Sequence, residues 1–107
     1  MNDTTFGQLV ADNRKKLGIS GRKLADKLGL SSGYVFQIEK GNYQPPSEAV
    51  LKNMAKIFNI HSDDLILKAG KIPADIITGL LEFPEAIPYL RENFKTERAK
   101  KTQTKGD

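Results

Sequence analysis

Cysteine is absent from this 107-residue chain, which excludes a disulfide framework and any thiolate metal site and suits a reducing cytoplasm. Histidine occurs once, at His61, so no pair of imidazoles exists to start a metal site. Aromatic residues are few, five Phe and three Tyr, and the apolar fraction is 38%. That suffices for a compact core over part of the chain and not over all of it. No apolar run approaches the roughly 20 residues that span a bilayer, and "MNDTTFGQLV" lacks the basic-then-apolar layout of a signal peptide. No period-two alternation persists, which argues against a sheet. No glycine-rich phosphate loop is present. The adjacent carboxylates Asp63 and Asp64 suit the first turn of a helix better than a paired general acid and base. These absences lead to the expectation of a soluble, cytoplasmic protein that is not an enzyme, with no metal, no cofactor and no membrane contact.

What the chain does have is charge, unevenly placed. The net charge is +4. Between Arg14 and Lys56 nine Lys/Arg face three acids, while between Ile57 and Phe94 three bases face six. The last thirteen residues, "KTERAKKTQTKGD", hold five bases and two acids. A basic middle beside an acidic flank suits a surface that meets a polyanion, although an uneven solvated surface gives the same pattern.

Apolar residues recur at helical spacing almost throughout. Phe6, Leu9, Val10 and Leu17 line one face of a first helix, with Thr5 and Gln8 placed as a capping box and Gly18 ending it. Ser20 caps a second helix carrying Leu24, Ala25 and Leu28, stopped at Gly29. Ser31 caps a third, with Val35 and Ile38 inward and Gly41 at its end. The prolines of "GNYQPP" make a loop. Ser47 caps a fourth helix with Val50, Leu51, Met54, Ile57 and Phe58 on one side. Ser62 and the two acids after it open a fifth, leaving His61 in a loop. The expected fold is all-α, with a five-helix domain over residues 1–70 and a two-helix segment over 71–94. That segment breaks at Phe83-Pro84 and tolerates Pro88 in a first turn. A basic tail over 95–107 has nothing to bury and is expected to lack regular structure.

In "LADKLGLSSGYVFQIEKG" a short helix, a tight turn and a second helix form the helix-turn-helix pattern. Ala25 falls where the two helices cross, and Gly29 supplies the positive φ of the turn. Val35 and Ile38 anchor the second helix from beneath. Ser32, Gly33, Phe36 and Gln37 are left outward, on the half that in this arrangement enters the major groove.

The longer stretch "ISGRKLADKLGLSSGYVFQIEKGNYQPPSEAVLKNMAKIFNIHSDDLI" resembles the phage-repressor and Cro-like (XRE-type) helix-turn-helix family of transcriptional regulators. The "LA" pair, "GLS", "IEKG", the proline after the loop and "LKNMAKIFNI" followed by "DDL" fall at that family's spacing, and the likeness runs from about Phe6 to Lys68. It implies a repressor-like five-helix domain that binds double-stranded DNA. Ser32, Gly33 and Gln37 then match base-reading positions, Gln37 being suited to adenine N6 and N7 and Gly33 permitting close backbone approach. Phe36 departs from the polar residue usual there; it either presses on a thymine methyl or packs on a protein partner. Phosphate contacts are implied at Gly21, Arg22 and Lys23, at Lys40, Asn42 and Gln44, and at Tyr34. The family often has glutamine where Gly21 stands, so one side-chain contact is missing. The resemblance also pairs Arg14 with Glu39, a contact that fixes orientation more than it adds stability.

One recognition helix reads only about four to six base pairs, so a homodimer on a partly palindromic operator is expected. Blocking a promoter is the commonest role in the family. Ile76, Ile77, Leu80, Leu81, Ile87 and Leu90 lie on two helices too short to bury such stripes on each other. Some repressors that the chain resembles carry a similar two-helix appendage that pairs with itself or with a protein antagonist; packing back on the body is the other outcome. Two further readings fit the residues. One is a protein-interaction module, antirepressor or antitoxin-like, that keeps the fold without specific DNA binding. The other is an architectural binder without a preferred site.

Overall fold

Hydroxyl and imidazole side chains set where the first five helices of this protein begin. The computed structural model describes residues 4–106; residues 1–3 of the expected first domain and Asp107 of the tail lie outside them. Every regular element among the described residues is a helix: α1 (Phe6–Lys16), α2 (Gly21–Leu28), α3 (Ser32–Lys40), α4 (Glu48–Phe58), α5 (Ser62–Lys68), α6 (Ala74–Glu82) and α7 (Ala86–Gly106). Thr5 and Gln8 close a reciprocal capping box at α1, with bonds of 3.1 and 3.0 Å. Ser20, Ser31 and Ser47 each accept a backbone N–H three residues on, at Lys23, Tyr34 and Val50. Such caps contribute about 1 kcal/mol each.

One helix start and one helix end differ from expectation. α5 is capped by His61, whose Nδ1 accepts the Asp63 N–H at 3.1 Å, so Ser62 is the first helical residue and His61 is no loop residue. An imidazole nitrogen two residues upstream of that N–H reaches it as a short oxygen side chain would. Leu17 does not line the inner face of α1. It caps the helix and is 45% exposed, because Gly18, at φ +71°, reverses the chain and delivers Ile19 to the core instead.

The chain divides between Pro73 and Ala74 into two units. In the first, Val10, Leu24, Val35, Ile38, Leu51, Met54, Leu65 and Ile66 are all but sealed from solvent. Each contributes on the order of 1.5–3 kcal/mol by its burial. The division falls three residues after the expected one at Gly70. Lys71 Nζ donates to the Pro46 carbonyl at 2.9 Å and Pro73 is buried, which keeps this stretch with the first unit.

The second unit, α6 and α7, buries none of its described side chains. Pro88 sits in the first turn of α7, where its missing N–H has no helical partner to lose. The expectation of an irregular tail is corrected: α7 runs through to Gly106. No glycine or proline interrupts it between Tyr89 and Lys105. Lys95 pairs with Glu92 and Lys100 with Glu97, and the Thr96 and Thr102 hydroxyls bond carbonyls one turn back. Such pairs each contribute only a few tenths of a kcal/mol.

Candidate nucleic-acid interface

Three features beneath α3 fix its position. Ala25, 1% exposed, lets α2 lie close against it. Gly7 lets α1 do the same at the other end of α3, since a Cβ there would stand 2.5 Å from the Glu39 carbonyl oxygen, closer than side chains come. The third is the ion pair of Arg14 with Glu39. Arg14 Nε donates to Glu39 Oε2 at 2.7 Å, Nη2 to Oε1 at 3.1 Å, and Nη1 to the Ile19 carbonyl at 3.0 Å. One guanidinium thus ties α1, the turn after it and the last turn of α3 together. Hydrogen bonding to Glu39 pushes the Arg14 pKa above the ordinary guanidinium value; burial pulls the other way and the carboxylate charge adds to the rise.

With α3 so held, Ser32, Gly33 and Phe36 project into solvent, Phe36 by 55%. Together with Gly21 and Arg22 of α2 they line a cleft of about 390 Å³, whose remaining walls are Val35, Arg14 and Glu39. The Ser20 cap takes the Lys23 N–H, and the N–H groups of Gly21 and Arg22 at the helix start lie outside the intrahelical ladder, where helix geometry favours an anion.

A second group forms where α3 ends. Gly41, at φ +81°, folds the chain back so that the Asn42 N–H bonds the Gln37 carbonyl at 2.9 Å. The Asn42 side chain follows, Nδ2 donating to Gln37 Oε1 at 2.7 Å. Lys40 Nζ lies over the Phe36 ring, 5.0 Å from its centroid, a cation–π contact of about 0.5–1 kcal/mol at an exposed site. Tyr34, half-buried, meets Tyr43 ring to ring at 5.9 Å. Lys23 and Gln44 are exposed and stand in neither group.

In the second unit, Ile76, Ile77, Leu81 and Ile87 are exposed, while Leu80 and Leu90 are half-buried. Sequence reasoning left out Gly7, Tyr43 and the bond between Gln37 and Asn42. A glycine inside a strong helical pattern was the available signal for Gly7. A lone tyrosine in a proline loop was the signal for Tyr43.

Residues 10–65 match the model of a family described as helix-turn-helix. Over 91 residues the chain is 29% identical to RghRB, an uncharacterized HTH-type transcriptional regulator of Bacillus subtilis (strain 168), covering 85% of this chain and 60% of that protein. It is 33% identical over 64 residues to Rv0474, another of Mycobacterium tuberculosis (strain ATCC 25618 / H37Rv), covering 60% of this chain and 45% of that one. The chain therefore spans only about half of the length of these curated relatives. Among solved structures it is similar to SinR, a master regulator for biofilm formation, in complex with DNA, with a TM-score of 0.53 and 28% identity over 57% of this chain and 97% of that one. It is also similar in fold to a chain of the SinR–SinI complex, with a TM-score of 0.53 and 20% identity over 92% of this chain and 99% of that one.

Proposed function

The chain belongs to the helix-turn-helix family, of the phage-repressor and Cro-like (XRE) type, and from that premise we propose that it is a sequence-specific, double-stranded-DNA-binding transcriptional repressor acting as a homodimer. The observation that carries the reading is the outward face of α3. Ser32, Gly33 and Phe36 are exposed and Gln37 half-buried on a helix anchored from below by Val35 and Ile38, with the start of α2 along one flank. A DNA-bound SinR, similar over the matching part of the chain, supports it.

In this reading the N-terminal half of α3 lies in the major groove. Gln37 and Ser32 address base edges, and Gly33 lets the backbone come close. Phe36 offers a flat apolar face to a thymine methyl, with Lys40 held beside it. The N–H groups of Gly21 and Arg22, with the Arg22 and Lys23 side chains, grip one phosphate run; Lys40, Gln44 and Tyr34 grip another. A half-site of four to six base pairs is too short for selectivity, so two copies bind half-sites about one helical turn apart. The faces of α6 and α7 that carry Ile76, Ile77, Leu80, Leu81, Ile87 and Leu90 form the contact between copies, or with a protein antagonist. The repressor works in the cytoplasm, where its DNA is.

The test is in vitro selection from random duplex DNA with the full-length protein at near-physiological salt. An enriched palindrome with half-sites about ten base pairs apart is the expected result. Binding without enrichment would mean an architectural binder. No binding at all would favour the protein-interaction module, for which the exposed Phe36 ring is the specific observation.

A further inference from the structure

We infer that Asn42 is a positioning residue that decides which base edge Gln37 can read. The inference rests on the DNA-reading role proposed above, and it assigns Asn42 a different task from gripping a phosphate. A carboxamide is planar, with an acceptor at one end and two donors at the other. When one end is held, the opposite end is the freer of the two to meet a base. In the free protein the end that is held is the oxygen, since Gln37 Oε1 accepts from Asn42 Nδ2 at 2.7 Å.

The contact is built into the backbone. Gly41 occupies the left-handed region at φ +81°, which an L side chain adopts only under strain. That turn carries Asn42 back over the last turn of α3, where its own N–H bonds the Gln37 carbonyl at 2.9 Å. Backbone and side chain of Asn42 thus engage the same residue. The side-chain bond closes over a site already brought together, so little chain entropy opposes it.

With its oxygen engaged, Gln37 presents the two Nε2 protons and whatever oxygen lone pair remains. In the major groove the acceptors are N7 of either purine, O6 of guanine and O4 of thymine, whereas cytosine presents only the N4 donor. The arrangement therefore favours acceptor-bearing edges opposite Gln37 and disfavours cytosine, whose N4 proton has to share the Gln37 oxygen with Asn42. Adenine remains readable through N7, while its N6 proton must share the oxygen with Asn42. Without Asn42 the amide turns freely, and each base finds one orientation that complements it.

The experiment is the same random-duplex selection, run with the full-length protein and with Asn42→Ala, Asn42→Asp, Gln37→Ala and the double variant Gln37→Ala/Asn42→Ala, with binding to the selected site measured at two salt concentrations. Asn42→Ala should weaken discrimination at a single base pair of each half-site by about fivefold or more, admit cytosine there, and leave the other positions and the salt slope unchanged. Asn42→Asp carries a carboxylate that only accepts, so it should take a Gln37 Nε2 proton and turn the oxygen outward. Preference at the same position should then move towards adenine N6 and cytosine N4, whatever the added charge does to overall affinity. In the Gln37→Ala background, Asn42→Ala should change the sequence preference no further, which separates positioning from general damage to the loop. A uniform loss across all sequences with a shallower salt slope would make Asn42 a phosphate contact and overturn the inference. An unchanged profile and slope would overturn it as well. A wild-type protein that enriches no site would instead remove the DNA-reading role itself, and that result is visible before any variant is compared.

Discussion

Glu39→Ala should destabilise the first unit by about 2–3 kcal/mol. The substitution removes both oxygens that Arg14 bonds, at 2.7 and 3.1 Å, and leaves the guanidinium with only the Ile19 carbonyl at 3.0 Å. Hydrogen bonds to charged groups contribute about 1.5–3 kcal/mol each, and breaking a fully buried pair costs about 3–5 kcal/mol, whereas exposed pairs contribute about 0–1 kcal/mol. The two side chains are 17% and 14% exposed, so the pair sits nearer the buried limit, and water reaching the free edge of the guanidinium trims the loss. For a unit of this size about 4–8 °C accompanies each kcal/mol, which makes the expected fall in Tm roughly 10–20 °C. Arg14→Ala should cost more than Glu39→Ala, because it strands a carboxylate and also deprives the Ile19 carbonyl of its donor. Urea unfolding of the two single variants and the double variant gives the coupling, expected at about 1 kcal/mol or more. Losses below about 0.5 kcal/mol in both single variants, or zero coupling, would place the pair among solvent-screened surface contacts. Such a pair would not be what positions α3.

Gly7→Ala should lower stability by about 1–3 kcal/mol, because the new methyl meets the backbone of α3 where nothing flexible can yield; a rise in Tm would show instead that alanine's helix preference of about 1 kcal/mol wins. Gln37→Ala should relax preference at one base pair and cost about 1–3 kcal/mol per half-site in binding measurements, and an unchanged preference would remove Gln37 from the readers. A chain ending at Pro73 should keep the unfolding transition of the first unit and sediment as a monomer. Retained dimerisation would move the contact between copies off α6 and α7, and an unfolded product would show that those helices complete the core.

The ends of the helices were legible in the sequence wherever one short side chain does the work. Thr5, Ser20, Ser31 and Ser47 cap as their types dictate, because an N-cap needs only an oxygen and a backbone N–H three residues away. His61 escaped because its ring nitrogen performs the same act from one residue earlier than the serine that draws the eye. Leu17 escaped for a different reason. Helical spacing presumes that the helix continues, and the reversal at Gly18 breaks the register before Leu17 can turn inward. The tail misled because composition reports what a segment can bury, whereas α7 is held along its axis by local pairs that need no burial.

The α3 face divides along the same line. Which residues point outward follows from period and from the buried pair Val35 and Ile38, so Ser32, Gly33 and Phe36 could be named without coordinates. What those residues offer a ligand does not follow from period. Lys40 lies over Phe36 four residues away, a neighbour that helical geometry supplies. Asn42 reaches Gln37 from five residues away, a separation that no continuous helix brings face to face. It does so only because Gly41 leaves the helix in a left-handed turn. A glycine at a helix end thereby brings the Asn42 side chain onto Gln37 one turn back, a contact that residue spacing along a helix does not supply.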